Sequence, residues 1–473
     1  MTGISMTGSI RLRSDAWPPF VIGVFAAAIA IAPSLTAKVA LAIPLFILSA
    51  IAWSALRAER WLVLFFAAAL LTPPLPIPLG DSGVHVAPLV ALLGLFAAAI
   101  RIEEWRPAPV TLGPAFAAFL AILLFSAFLA ALYSGPTIAL GSLFRVALFA
   151  LGAFVFWFAA AGPRDGESDP LRLAKFLFIA AILSALFGCA DFYYQFPAPG
   201  GFEPQFVWLD VGVLRRAQGL FYEASTFGNF CAFFLVMIAV ALFRPRAESP
   251  ASKPLLALGG IVLAAGLILS YSRASVVNVL VACAALALVR RARIGRALLW
   301  SLLAAISAVL LVRLALPSFS ASYWERLTGS LQFFADSPNG VLSGRLTNWN
   351  LLSDFLLREP WHAVFGIGYK TLPYSTFAGA KIIADNTYLS LLAETGIFGL
   401  LAFLVLNGAI LREALRAARS PRPRAAFFGQ WIFCFWIGEM VQMLSGDLIT
   451  YWRVLPVYFW VLGIAVREVA EAS

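Results

Sequence analysis

Apolar runs of roughly 16–25 residues recur from one end of this chain to the other. Each matches the length an α-helix needs to cross a hydrocarbon core of ~30 Å. Lipid offers no partner to backbone N–H and C=O groups, so such runs must satisfy them internally and predict helices. With 62% hydrophobic and 12% charged residues, a water-soluble fold is excluded for a chain of 473 residues. The expected architecture is therefore an all-α polytopic membrane bundle, a single domain over 1–473, of about 12–14 transmembrane helices. The hydropathy pattern places spans near 17–32, 38–56, 61–79, 84–100, 111–132, 138–161, 173–194, 219–243, 255–270, 274–289, 297–316, 386–411, 425–444 and 451–466. Of these, 61–79 contains Pro73, Pro74, Pro76 and Pro78, which break helices. Arg11 and Arg13 precede the first run without a clear cleavage site, so that run is read as a retained span.

The basic residues give the orientation. With fourteen spans, alternate connections hold Arg57/Arg60, Arg101/Arg106, Arg164/Arg172/Lys175, Arg244/Arg246/Lys253, Arg290/Arg291/Arg293/Arg296 and Arg412/Arg416/Arg419/Arg422/Arg424. Together with Arg11, Arg13 and Arg467 these are about 22 of the 34 Lys+Arg, all on one side. By the positive-inside rule that side is the cytoplasm, with both termini there. The net charge of +10 is then a topology signal and not a nucleic-acid footprint.

Several function classes fall away. The four cysteines are isolated in apolar runs, and His85 and His362 are too few for a histidine metal cluster. No Walker A loop or dinucleotide fingerprint is present, so the phosphate cradle of nucleotide-driven chemistry is missing.

On the outer side lies a polar insert, 317–385, expected to carry part of an active site. About 12 Lys+Arg remain on that side, several in places where charge is costly. Arg145 sits inside the span 138–161, Arg273 at the seam between two spans, and Arg215 and Arg216 just ahead of 219–243, which Glu223 enters. Each could pair with a carboxylate such as Glu223 or Glu439, or reach a lipid phosphate. Several arginines converging on one face instead suit a polyphosphate, because guanidinium grips phosphate oxygens in a two-pronged fork and stays charged. Within the insert, Ser343 is the expected N-cap of a helix carrying Leu346, Trp349, Leu352 and Leu356 at helical spacing and stopped by Pro360. Arg345 falls in its first turn, where a salt bridge to Asp354 or Glu359 is the alternative role. GIGYK reads as a glycine-hinged turn, and Asp385-Asn386 opens the next span as either site or helix cap.

The order SYSR (270–273), SGRLTNW (343–349), GIGYK (366–370) and DNTYLSLLAETGIFG (385–399), with RAQGLFYEAS (216–225) upstream, resembles the bacterial O-antigen ligase/polymerase superfamily of the Wzy and WaaL type. The resemblance covers about residues 210–410. It implies transfer of glycan from an undecaprenyl-diphosphate carrier to an acceptor sugar at the periplasmic face, without cofactor or metal. Arg216, Arg273 and Arg345 match the family's arginines. Its ligases carry histidine before the asparagine of the last motif; here Asp385 stands there, with Glu223 as the competing carboxylate. That departure favours a polymerase of lipid-linked repeat units over a ligase onto lipid A core, and inversion at the anomeric carbon is expected. Arg216, Arg273, Arg345, Asp385 and Glu223 are the expected catalytic groups. Arg145, Arg215, Tyr222, Tyr271, Trp349, Lys370, Asn386 and Tyr388 are expected to bind substrate, and Tyr323, Trp324, Trp361, Tyr369 and Tyr374 could stack on sugars or form an interfacial belt. His362 is read as a loop or surface histidine. Expected partners are the lipid-linked oligosaccharide, the bilayer, and chain-length regulator and flippase proteins, with no nucleic acid. A transporter of lipid-linked oligosaccharide is the reading from another class; it would need its charges reachable from both faces.

Overall fold

A computed structural model describes residues 59–75, 85–105, 112–163, 169–197, 203–209, 212–290 and 344–471, with isolated positions at Ser34, Ile43, Arg313, Ser320, Ala321, Trp324 and Thr328. Apart from those positions, the expected spans 17–32, 38–56 and 297–316 lie outside the described residues, as do 317–343, with Ser343 and Tyr323.

Every other expected span is a helix. In chain order these are α1 (Arg60–Leu71), α2 (Val86–Ile100), α3 (Leu112–Ser134), α4 (Pro136–Ala161), α5 (Pro170–Tyr194), α6 (Ala224–Leu242), α7 (Lys253–Leu269) and α8 (Arg273–Val289). The insert adds α9 (Arg345–Arg358) and α10 (Pro360–Phe365), and α11 (Thr387–Ala418), α12 (Pro423–Gln442) and α13 (Leu455–Ala470) follow. By length and composition α3, α4, α5, α6 and α11 can each cross a membrane; α1, α2, α7 and α8 are shorter and apolar. One expected boundary needs correction: α1 ends at Leu71, not near 79, because Thr72 turns extended just before Pro73 and Pro74. Between α5 and α6 the chain also forms a small antiparallel hairpin, β1 (Phe206–Leu209) with β2 (Gly212–Arg215).

Burial divides the helices into inner and outer. α6 and α13 are apolar on all sides and buried along nearly their whole length, so they form the interior. Phe233, Trp431 and Tyr458 pack there with ring centroids 4.5 and 4.3 Å apart about Phe233, joining α6, α12 and α13. α2 and α3 instead expose Leu89, Leu92, Phe125, Phe128 and Leu132, side chains that suit a lipid surround.

Arg244 donates to Pro423 O (2.7 Å), Arg290 to Gln430 Oε1 (2.8 Å) and Arg467 to Gly162 O (3.0 Å), while Arg424 meets Asp169 at 3.5 Å. These contacts gather basic residues of several connections at one end of the bundle.

The decisive local feature is a break in α11. Gly396 sits at φ 71°, ψ −175°, so helix geometry lapses there. The GIGYK segment uses the gap: Ile367 N donates to Ala393 O (3.1 Å) and Gly368 N to Glu394 O (2.9 Å). Ser126 of α3 donates to the same Glu394 carbonyl at 2.8 Å. A Cβ at Gly396 would stand 2.1 Å from Val364 O, and one at Gly366 2.3 Å from Glu394 O, so only glycine admits this approach. The insert also carries a small core of Leu352, Leu356, Ile367, Leu372 and Ile382, which packs on Ala393 of α11.

Gly396→Ala should therefore destabilise the protein, by about 1–3 kcal/mol from backbone conformation alone and more from the clash. Gly408, with open space around it, serves as the control: Gly408→Ala should be neutral or slightly stabilising. Thermal unfolding in detergent measures both; equal melting temperatures would remove the break from its place in the fold.

Candidate active site

The site forms at the end opposite the basic face, where the N-termini of α6, α8, α11 and α13 meet the insert. Four helices that start here bring their positive dipole ends to one surface.

Arg216 follows the hairpin. Its backbone N–H donates to Gln205 O (2.8 Å) and its Nε to Ser270 O (2.8 Å), so the SYSR turn holds it. Burial lowers its pKa, Tyr451 and Glu223 oppose that, and Arg345 and Arg273 add to it, so the three expected catalytic arginines and Glu223 lie within electrostatic reach of this one site. Arg273 is the first residue of α8, immediately after its capping Ser272. Arg345 lies in the first turn of α9, as expected, but the cap position is Gly344 at φ 81° and not the expected Ser343, because the helix starts one residue later.

Arg345 Nε meets Asp385 Oδ2 at 3.2 Å, not Asp354 or Glu359. The two side chains are 23% and 41% exposed. An ion pair open to water in this way contributes at most about 1 kcal/mol, so a competing phosphate can displace the carboxylate. Asp385 is not the helix cap. Asn386 Oδ1 accepts from Tyr388 N (3.0 Å) and Leu389 N (3.1 Å), which leaves Asp385 outside the capping interaction at φ 45°. Burial raises the Asp385 carboxyl above the usual carboxylate range, Arg345 pulls it back and Asp447 adds to the rise. Its remaining exposure lets water screen this shift. Glu223 lies within electrostatic reach of Asp385, Arg216 and Asp447, and its Oε2 accepts from Thr226 Oγ1 at 2.6 Å.

The residues expected to bind substrate divide. Arg215 points to other partners than Arg216: its Nη2 meets both oxygens of Asp191 at 3.1 and 3.2 Å and also Phe196 O at 3.2 Å. Both side chains are under 10% exposed, and breaking such a buried pair costs about 3–5 kcal/mol, so Arg215 is committed to structure. Tyr222 belongs with that group, near Asp191, Arg453 and Arg215. Trp349 donates its indole N–H to Ala384 O (2.6 Å) and Asn348 its amide to Ile383 O (2.8 Å), so α9 clamps the strand of chain that presents Asp385. Tyr388 donates to Met440 O (3.0 Å) and ties α11 to α12. Tyr271 is buried within its turn. Lys370 is buried too, contacting Asp447 and lying 3.9 Å from Glu394. Arg145 lies over the Tyr374 ring, 4.4 Å to its centroid, beneath the GIGYK loop. Trp361 and Trp324 remain exposed, whereas Tyr369 is buried. His362 is in α10, stacked on Phe355.

Tyr222, Tyr271, Lys370 and Asp385 all adopt positive φ, between 45° and 56°. Each costs about 1–2 kcal/mol for a residue with a side chain. Strain gathered at the loops of one face is characteristic of functional surfaces. Sequence reasoning missed Asp447, Tyr451 and Arg453. Arg453 donates to Ala69 O and Thr72 O at 2.8 Å, anchoring α1 to the start of α13, and only its place in TYWRVLP hinted at an outer-face charge.

Residues 258–404, about a third of the chain, match the family model Wzy_C, described as O-antigen ligase. The matched segment contains Arg273, Arg345 and Asp385; Arg216, Glu223 and Asp447 lie outside it. No curated protein matches the chain. The match supports the resemblance to the O-antigen ligase/polymerase superfamily and an O-antigen ligase/polymerase-type function in general, on a chain with several helices long and apolar enough to cross a membrane.

Proposed function

We propose that the chain is a glycan polymerase of the periplasmic face, moving oligosaccharide from an undecaprenyl-diphosphate carrier to the end of another lipid-linked repeat unit. One observation carries the reading. Arg345 and Asp385 form a partly water-exposed ion pair within electrostatic reach of Arg216, whose field also includes Arg273. Guanidinium groups so placed grip the two phosphates and offset charge as it develops on the departing oxygen. Diphosphate binding to Arg345 frees Asp385. The carboxylate then takes the proton of the attacking sugar hydroxyl as the new C1–O bond forms and the C1–O bond to phosphate breaks. A single displacement of this kind inverts the anomeric centre. Glu223 is the second candidate base.

The aspartate at 385 favours polymerisation, while the family description names ligases. Purified protein in liposomes with lipid-diphosphate oligosaccharide separates the outcomes. Longer glycan with released lipid diphosphate supports the polymerase; transfer to lipid A core makes it a ligase; movement without bond formation makes it a transporter.

Asp385→Asn should keep donor binding and lose transfer by about 10²–10⁴-fold, because the amide cannot accept the proton. Since the base must be ionised, wild-type activity should fall as pH drops through the raised Asp385 value. Arg345→Gln removes the group that lowers it and should move that acid limb to higher pH. An active Asp385→Asn beside an inactive Glu223→Gln would shift the base to Glu223.

We place the arginine face in the periplasm. Lys381→Cys should react with a membrane-impermeant maleimide in intact cells and Pro421→Cys should not, both being exposed positions. The opposite labelling pattern inverts the orientation and removes the proposed site from its substrate.

A further inference from the structure

Beneath the arginine face, in the interior of the bundle, lies a polar cluster that the transfer chemistry does not use. Asn229 of α6 donates its amide to Glu439 Oε2 (2.6 Å) and Gln442 Oε1 (3.1 Å), both on α12. Asn278 of α8 donates to the same two oxygens at 2.9 and 3.0 Å. Tyr458 of α13 donates to Asn229 Oδ1 at 2.6 Å, so four helices meet here. All of these side chains are buried. Polar groups in such a place are expensive to desolvate, and fewer of them would suffice to hold helices together.

The cluster does not end in itself. Gln442 Nε2 donates to Ser275 Oγ (3.1 Å), which bonds Ser272 Oγ (2.8 Å); Ser272 N donates to Ser270 Oγ (3.2 Å). Ser270 O is the acceptor of Arg216 Nε, and Arg273 is the residue after Ser272. An unbroken line of hydrogen bonds thus runs from Glu439 to the turn that holds one arginine and begins the helix of another. Close backbone contact stiffens that line. A Cβ at Gly228 would stand 2.7 Å from Ser270 Oγ and 2.9 Å from Ser272 Cβ, and one at Gly438 2.3 Å from Asn278 Oδ1. α6 and α12 therefore press directly on the start of α8, and the turn has no room to shift alone.

We propose that Glu439 and Gln442 are positioning residues for the diphosphate clamp, acting through Ser275 and the 270–273 turn on Arg216 and Arg273. The inference rests on the proposed lipid-diphosphate donor, and it assigns the donor's affinity to a cluster buried within the bundle.

The test measures binding of undecaprenyl diphosphate to the full chain in nanodiscs by native mass spectrometry, beside thermal unfolding of each variant. Ser275→Ala removes the bonds to Gln442 and Ser272 and should weaken binding about tenfold, in protein that still unfolds cooperatively but at a somewhat lower melting temperature. Glu439→Ala should weaken it further, and Glu439→Gln, which retains an acceptor oxygen, should restore much of the loss. Arg216→Ala supplies the readout that mere stability would not move: in that background Ser275→Ala should add little. Wild-type affinity in a folded Ser275→Ala protein overturns the inference, as does a full tenfold effect persisting in the Arg216→Ala background. Where Glu439→Ala fails to fold, the Ser275 and Arg216 pair still decides. Wild-type protein that binds no undecaprenyl diphosphate would sink the donor reading itself, a different result from binding that ignores Ser275.

Discussion

Positive charge at the edge of a membrane must be held by something, and how it is held decides what it can do. In this chain the grip grades from tight to loose. Arg215 is locked to Asp191 in a buried pair, Arg453 to backbone carbonyls, and Lys370 between Asp447 and Glu394. Arg216 is oriented by one carbonyl, and Arg345 rests on a carboxylate open to water. The tightly held charges fix the shape of the face. Only the Arg345–Asp385 pair is open to water, and an ion pair so exposed is worth little, which is what lets the proposed donor's phosphate compete for Arg345.

That face depends on a helix that is not continuous. The break at Gly396 exposes the carbonyls of Ala393 and Glu394, which would otherwise bond within α11, and the GIGYK backbone takes them up. Polar backbone is tolerated at this depth only when protein satisfies it, and here another stretch of the same chain does. The same stretch then places Lys370 against Asp447 and runs on to Asp385, so the break, the loop and the candidate base belong to one structural unit.

Asp385 illustrates how neighbouring residues share work. Asn386 caps α11 with its amide oxygen and Trp349 fastens the carbonyl of Ala384. With capping and anchoring supplied on either side, the carboxylate between them is presented in a left-handed conformation toward Arg345. A residue needed only for capping would occupy the position Asn386 already holds.

Much of this was legible from the sequence, because burial in lipid imposes its demand on each helix separately: length and apolarity suffice, and the expected spans among the described residues are helices. Charge in the connections likewise speaks for itself. Arg216 and Arg273 stood out as charges in places where charge is costly, Arg345 as an arginine in the first turn of the insert's helix, and Asp385 through the family resemblance of its motif. What the sequence alone left open was which charge meets which, since ion pairing is a matter of distance across elements far apart in the chain. Arg215 and Arg216 are adjacent in sequence, yet consecutive residues in extended backbone face opposite ways, so one closes on Asp191 and the other on Ser270. Asp447 and Tyr451 gave no periodic or motif signal and entered the site only through folding. The sequence determined that this is a membrane bundle with arginines on one face; tertiary packing alone decided which of them are held fast and which are left able to exchange.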